Sequence, residues 1–315
     1  MRRFIVVIVT LIVLVVYGPP LAARLFGWGP DPSLRPPPGR SVAISGGLSL
    51  NVVEAGSGPP VVLVHGLPSN AYDWDTLSQK LAVKGYRVIA YDRVGYGYSS
   101  RSAPTPERYR LESNARDLAA LLDALGLPRA TLVGWSYGGG VVQTLALQAP
   151  ERVSHLVLVA AVGPAQPPED SDALGLVLRS PIAAGILRWV SSIPPLSRQL
   201  TQQSLLQVFA QSQAIPPGWS EYTRAMLALP GTLDAFVLEA QRASYAELQS
   251  QALRVPTLVL QGTDDYSVLP AVADDLHRKI AGSELVTIAA GSHMLPVTHA
   301  EVLAERIHAF LAQHP

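Results

Sequence analysis

The chain has no cysteine among its 315 residues. That single absence removes disulfides, thiol nucleophiles and cysteine-ligated zinc together. Charge is sparse too: Asp, Glu, Lys and Arg make up 15% of the residues, and 24 basic side chains balance 24 acidic ones. Lysine is nearly missing, confined to Lys80, Lys84 and Lys279, and the arginines are scattered along the chain. Without a basic face there is no electrostatic footprint of a nucleic-acid binder, so no nucleic-acid partner is expected. No segment recurs at a fixed period, which sets aside solenoids and propellers. The length suits one large domain with an insertion.

Charge disappears altogether over residues 4–17, nearly all Ile, Val or Leu, which follow Arg2-Arg3. As a helix this stretch spans roughly 21 Å, short of the ~30 Å hydrocarbon core of a bilayer. Continued to Ala23 it reaches across, provided Gly18-Pro19-Pro20 is tolerated near the interface. Residues 1–23 therefore read as a membrane anchor or as a signal segment cleaved at the weak site Leu21-Ala22-Ala23. The weak site favours the anchor. In both readings the bulk of the chain lies outside the cytoplasm, either membrane-anchored or, after cleavage, secreted or periplasmic. Residues 24–40 carry Pro30, Pro32, Pro36, Pro37 and Pro38 and read as a proline-rich linker, a stiff spacer.

From residue 41 the pattern is α/β. Residues 41–45 and 48–54 flank Gly46-Gly47 as a hairpin. Apolar strands then alternate with helices: strands at 61–64, 87–91, 131–133, 155–160, 257–260 and 284–288, helices near 73–83, 113–125 and 139–149. Short, continuously apolar strands joined by helices predict a mostly parallel central sheet with helices on both faces. The rhythm stops between residues 163 and 255, where four helical patterns (174–193, 204–214, 220–229 and 233–248) are separated by proline-rich joints. The expected organisation is an α/β core at 41–163 and 255–315, interrupted by an inserted helical cap at 164–254.

The chemistry is concentrated at Gly134-Trp135-Ser136-Tyr137-Gly138. A β-branched run arrives at G-x-S-x-G and an apolar helix leaves it, the sequence form of a tight strand-to-helix elbow that exposes a nucleophilic serine. On this architecture the chain order is nucleophile, acid, histidine. His293, in a loop just past the last strand, is the expected base, with His299 as the fallback. Asp265 is the expected acid, third past Gly262. Asp264 then serves to cap the turn. The apolar strand ending in His65-Gly66-Leu67-Pro68 offers the Leu67 N–H, with that of Tyr137, as an oxyanion hole. His65 reads as a buried brace for this loop, and His155 as a structural residue that begins a strand.

These residues, with Asp92-Arg93-Val94-Gly95-Tyr96-Gly97-Tyr98-Ser99, resemble the α/β-hydrolase fold superfamily, in its serine-nucleophile branch with a His-Gly-x-Pro oxyanion loop and a helical cap. The resemblance covers about residues 41–313 and implies catalytic roles for Ser136, Asp265 and His293. Haloalkane dehalogenases and epoxide hydrolases of this fold attack with an aspartate. Ser136 excludes both, and Leu67 stands where dehalogenases commonly place a halide-binding side chain.

What remains is attack on a carbonyl, a reaction that needs neither metal nor organic cofactor. Few positive charges occur in the cap, so a small apolar ester is the expected substrate and a carboxylesterase or lipase-like hydrolase the expected activity. Two alternatives stand beside it: a carbon–carbon bond hydrolase, and a slow-turnover ligand receptor on the same fold.

Overall fold

The computed structural model describes residues 31–102, 105–166, 181–210, 215–242 and 244–315. The expected anchor or signal segment, residues 1–23, lies outside them. Among the described residues no helix is long and apolar enough to cross a membrane.

The opening hairpin forms as read: β1 (Arg40–Ile44) pairs antiparallel with β2 (Leu48–Ala55) across a turn at Gly46-Gly47. Then follow β3 (Pro60–Val64), α1 (Asp75–Val83), β4 (Arg87–Tyr91), α2 (Leu111–Ala124), β5 (Ala130–Trp135), α3 (Tyr137–Gln148) and β6 (Val153–Val159). After a long insertion come β7 (Thr257–Gly262), α8 (Pro270–Lys279), β8 (Glu284–Ile288), the single turn α9 (Leu295–Thr298) and α10 (Ala300–Gln313). The eight strands lie in the order β1-β2-β4-β3-β5-β6-β7-β8. All pairings from β4 through β8 are parallel.

Strand alternation explains both cores. Val62, Val64, Ile89, Leu132 and Leu158 face Leu118, Leu122, Val141, Leu145 and Leu276 of α2, α3 and α8. Their neighbours Val61, Leu63, Val88, Val133 and Val157 face Leu77, Leu81, Leu303 and Ile307 of α1 and α10. Successive strand residues point to opposite faces. A sheet buried on both sides therefore needs unbroken apolar runs.

The connection after β3 leads to α1 on one face, and that after β5 to α3 on the other. Because β4 and β5 lie on opposite sides of β3, the two loops diverge at the strands' C-terminal ends. Such a divergence opens a crevice in a parallel sheet.

The loop after β4 is wound around one buried carboxylate. Asp92 accepts hydrogen bonds from the Ala71 and Tyr98 amides and from Asn51 Nδ2, at 2.7, 2.8 and 2.8 Å. Gly97 sits at φ +47° against it, and a Cβ there would fall 1.9 Å from Asp92 Oδ2. Only glycine lets the loop close on the carboxylate.

The inserted segment contributes α4 (Pro181–Ser191), α5 (Pro194–Val208), α6 (Trp219–Leu227) and α7 (Thr232–Arg242). No strand occurs between β6 and β7 among the described residues. Helix α5 begins ten residues before the apolar pattern suggests, because Pro194 and Pro195 occupy its first turn, where a missing N–H is harmless. The expected helical residues 174–180 and 211–214 lie outside the described set. Polar contacts seat these helices on the strand-end loops. Tyr222 Oη lies 2.9 Å from both Asn70 Oδ1 and Asp73 Oδ1, and Arg101 Nε donates to the Pro230 carbonyl at 2.6 Å.

Residues 35–37 are docked, where the sequence suggested a spacer. Tyr98 Oη donates to the Pro36 carbonyl at 2.6 Å, Tyr72 Oη donates to that of Pro37, and Arg35 Nε reaches the Ala225 carbonyl on α6 at 2.9 Å. The prolines are held by their carbonyls, a capacity that proline keeps. Tyr98→Phe should therefore lower stability by about 1 kcal/mol, and a chain begun at Ser41 by about 2–3 kcal/mol, at roughly 1 kcal/mol per lost bond. Urea midpoints indistinguishable from that of the longer chain would mean that the strap carries no stability.

Candidate active site

Strand β5 delivers Ser136 into a conformation few non-glycine residues adopt, with φ 54° and ψ −122°. Its surroundings hold it there: Ser136 N–H donates to the Val159 carbonyl at 3.1 Å, and its own carbonyl accepts from Gly139 and Val162 N–H at 2.9 and 3.2 Å. The flanking glycines give clearance. A Cβ on Gly138 would lie 2.1 Å from the Val64 carbonyl oxygen, and one on Gly134 would lie 2.4 Å from that of Gly138. Helix α3 can thus start directly beneath the serine, and strain of this kind persists only where the surroundings over-determine it.

The loops after β7 and β8 are zipped together. Thr263 N–H donates to the Ile288 carbonyl and Asp264 N–H to that of Gly291, at 3.0 and 2.9 Å. This places Asp265 Oδ2 at 2.8 Å from His293 Nδ1. The other oxygen, Oδ1, accepts the Ser267 and Val268 amides at 2.8 and 2.9 Å. Burial pushes the Asp265 carboxyl up, but His293 and those two amides outweigh it, so its pKa lies below the ordinary aspartate value. An ionised Asp265 needs the proton on Nδ1, leaving Nε2 of His293 as the basic nitrogen.

The choice between the paired carboxylates follows. Asp265 is 1% exposed and both pairs with His293 and caps its own turn. Asp264 is half-buried and takes only the Thr263 hydroxyl through its side chain. The turn-capping role read for Asp264 therefore belongs to Asp265. His299 lies at the start of α10 beside Thr298 Oγ1 at 2.8 Å. His155 bonds the His314 carbonyl at 2.6 Å.

Trp135 joins the serine to the histidine. Its Nε1–H donates to the His293 carbonyl at 2.9 Å, and its ring lies against the imidazole with centroids 5.5 Å apart. On the other side Gly66 approaches so closely that its Cβ would stand 3.0 Å from Ser136 Cβ. The His65-Gly66-Leu67 loop is thus brought to the serine from β3. Tyr137 occupies the first position of α3, where a helical N–H has no intrahelical acceptor. A cleft of about 420 Å³ between the strap and α6 is lined by Arg35, Tyr72, Asp73 and Tyr222, and not by Ser136, Asp265 or His293.

His65 is fully buried, as expected of a brace. Its Nε2 accepts the Arg93 amide at 3.0 Å, so the proton sits on Nδ1 and is given to the Gly66 carbonyl at 2.9 Å. Burial first, then the nearby Arg93 charge, hold its pKa well below the usual histidine value. Two residues that sequence reading left without a role stand behind this loop. Arg93 donates to the His65 and Gly66 carbonyls at 3.2 and 2.9 Å and forms an ion pair with Glu239 of α7. Their one trace in the sequence is Glu239 itself, a carboxylate among Ala235, Phe236, Val237, Leu238 and Ala240.

Known proteins share this fold. The alpha/beta hydrolase fold family profile matches residues 59–300. The chain is 30% identical over 285 residues to the 2-hydroxymuconate semialdehyde hydrolase of Pseudomonas sp. (strain CF600), covering 90% of this chain and 96% of that one. Among solved structures, a thermophilic esterase from Thermogutta terrifontis has TM-score 0.66 at 26% identity, covering 88% and 99% of the two chains. A bromoperoxidase from Bacillus anthracis has TM-score 0.72 at 26% identity, covering 87% and 99%.

His65 also sets a pH dependence. Its folded pKa lies below its unfolded value of about 6.5, so the unfolded chain binds the extra proton and stability is lost as pH falls below about 6.5. The slope from this group is about 1.4 kcal/mol per pH unit. Asp73 acts in the opposite sense, since burial raises its pKa to about 6, but it is common to wild type and variant. The stability difference between wild type and His65→Gln should therefore shrink on acidification from pH 6.5. A pH-independent difference in calorimetric or urea melts would show that His65 is not held neutral.

Proposed function

The chain belongs to the α/β-hydrolase family, and we propose that it is a serine hydrolase that cleaves carboxylic esters of apolar substrates. One observation carries this reading: the Asp265–His293 pair is packed against Trp135, directly before a serine at φ 54° with the Gly66 loop at its side. In this mechanism His293 Nε2 removes the Ser136 hydroxyl proton as Oγ attacks the ester carbonyl. The Leu67 and Tyr137 N–H groups hold the oxyanion, and Asp265 stabilises the imidazolium. The alcohol leaves with the proton from His293, and water then releases the acid from the acyl-enzyme by the same route. Ser136 stands where attack on an alkyl carbon would need a carboxylate, so epoxide opening is not part of this proposal.

A carbon–carbon bond hydrolase is the second reading. The similarity to the Pseudomonas hydrolase over 90% of this chain favours it, and the likeness to the Thermogutta esterase favours the first. The proposal also keeps residues 1–23 as a membrane anchor with the catalytic domain outside the cytoplasm, on the strength of Arg2-Arg3 and the uncharged residues 4–17.

Purified protein assayed on p-nitrophenyl esters of graded chain length and on 2-hydroxymuconate semialdehyde separates the two readings. Preferred turnover of the semialdehyde would overturn the ester assignment. Ser136→Ala should lose activity by a factor on the order of 10⁶ while remaining folded. Asp265→Asn should lose about 10⁴ by spoiling the His293 tautomer. Asp264→Asn should leave turnover within about twofold of wild type, since surface polar changes are usually small in effect. An Asp264 loss exceeding that of Asp265 would reverse the assignment.

A further inference from the structure

Arg93 and Glu239 have side chains with no solvent exposure. Burying two charges is a costly way to join two segments, since apolar side chains of similar volume often do it as well or better. The pair therefore calls for a reason beyond adhesion, and its hydrogen bonds supply one.

The Gly66 carbonyl accepts two donors at once, Arg93 Nη2 and His65 Nδ1, both at 2.9 Å. That carbonyl and the Leu67 N–H are opposite ends of one planar amide. Filling both lone pairs of the oxygen fixes the plane, and with it the direction in which the Leu67 N–H points. Donation to the carbonyl also polarises the amide, making its N–H a stronger donor, as hydrogen bonds in chains reinforce one another. Arg93 Nε holds the preceding carbonyl of His65, so the guanidinium grips two successive peptides from behind.

The same guanidinium rests on the Tyr137 side chain: its carbon lies 4.7 Å from the centre of that ring, and Tyr137 Oη is tied to the Tyr109 carbonyl at 3.1 Å. One cation thus touches the Gly66 carbonyl and the side chain of the residue that carries the second donor. Glu239 holds that cation in register: it pairs with Arg93 and accepts Tyr96 Oη at 2.8 Å and Asn114 Nδ2 at 3.1 Å. Of these groups only Glu239 comes from the inserted segment, on α7.

We propose that Arg93 is the positioning residue of the oxyanion hole, clamping the Gly66–Leu67 amide, and that Glu239 makes this clamp depend on α7 being seated over the sheet. The inference rests on the reading of Ser136 as nucleophile. It assigns the inserted helices a part in the chemical step besides shaping the substrate site.

The test compares Glu239→Gln, Arg93→Lys, Arg93→Met and the double variant Arg93→Met/Glu239→Met with wild type. Four quantities are measured: kcat and KM on the ester the wild type turns over best, melting temperature, and the rate at which a fluorophosphonate labels Ser136. Phosphonylation uses the same two amides whatever the natural substrate. Arg93→Met should lose roughly ten- to a hundredfold in kcat and in labelling rate with KM within about threefold, less than the 10²–10³ for deleting an oxyanion donor outright. Glu239→Gln should show a smaller loss of the same kind, and Arg93→Lys a partial recovery. The double variant decides between positioning and adhesion. With neither charge left unpaired it should regain melting temperature while kcat and labelling stay low. If kcat and labelling return with the melting temperature, or never fall, the clamp is overturned and the pair is structural. Wild-type labelling without ester turnover would sink the ester reading and leave the clamp to be judged by labelling rates. No wild-type labelling at Ser136 would overturn both.

Discussion

Everything at the site depends on how closely β3, β5 and α3 approach one another around Ser136. The serine can hold φ 54° because its amide and carbonyl are tied to β6 and to the residues that follow it, at Val159, Gly139 and Val162. Helix α3 can begin beneath it only because Gly134 and Gly138 leave room for the Gly138 and Val64 carbonyls. Open that contact by one methyl group and the serine, the Tyr137 amide and the loop after β3 all move. The backbone is thus committed before any catalytic side chain is in place, and interiors packed this densely do not deform by degrees.

Around this point the molecule separates two kinds of buried charge. Asp265 is stabilised as a carboxylate by two amides and His293, so its charge is available to an imidazolium. Arg93 is spent on carbonyl groups and one glutamate, and faces the backbone of the His65-Gly66 loop. His65, ahead of both in the chain, is kept neutral and serves as a relay of hydrogen bonds from the Arg93 amide to the Gly66 carbonyl. Three ionisable residue types near one site have three different tasks, set by what each is hydrogen-bonded to.

Polar contacts tie down the inserted helices and the proline strap, beside the apolar packing of Leu205 and Phe209 in the core. Tyr222 meets Asn70 and Asp73, Arg101 meets the Pro230 carbonyl, and Arg35 ties the strap to α6. Directional bonds of this sort fix where a helix sits more strictly than apolar contact does. The strap therefore reaches the helices above the site as well as the sheet beneath it, linking the N-terminal side of the chain to the insertion.

The sequence alone determined the sheet and the elbow. Apolar runs buried on both faces, and a serine flanked by glycines between a strand and a helix, are local patterns with one physical solution each. The choice of Asp265 over Asp264 was legible only as a spacing. The structure places Asp265, and not Asp264, in the interior against His293, and it moves the turn cap from Asp264 to Asp265. It alone disclosed Trp135 on His293, the docking of residues 35–37, and the Arg93–Glu239 pair. Those depend on contacts between residues as far apart as 93 and 239. Local propensity carries no record of such contacts, because a carboxylate among apolar residues has no visible partner until the chain folds back to provide one.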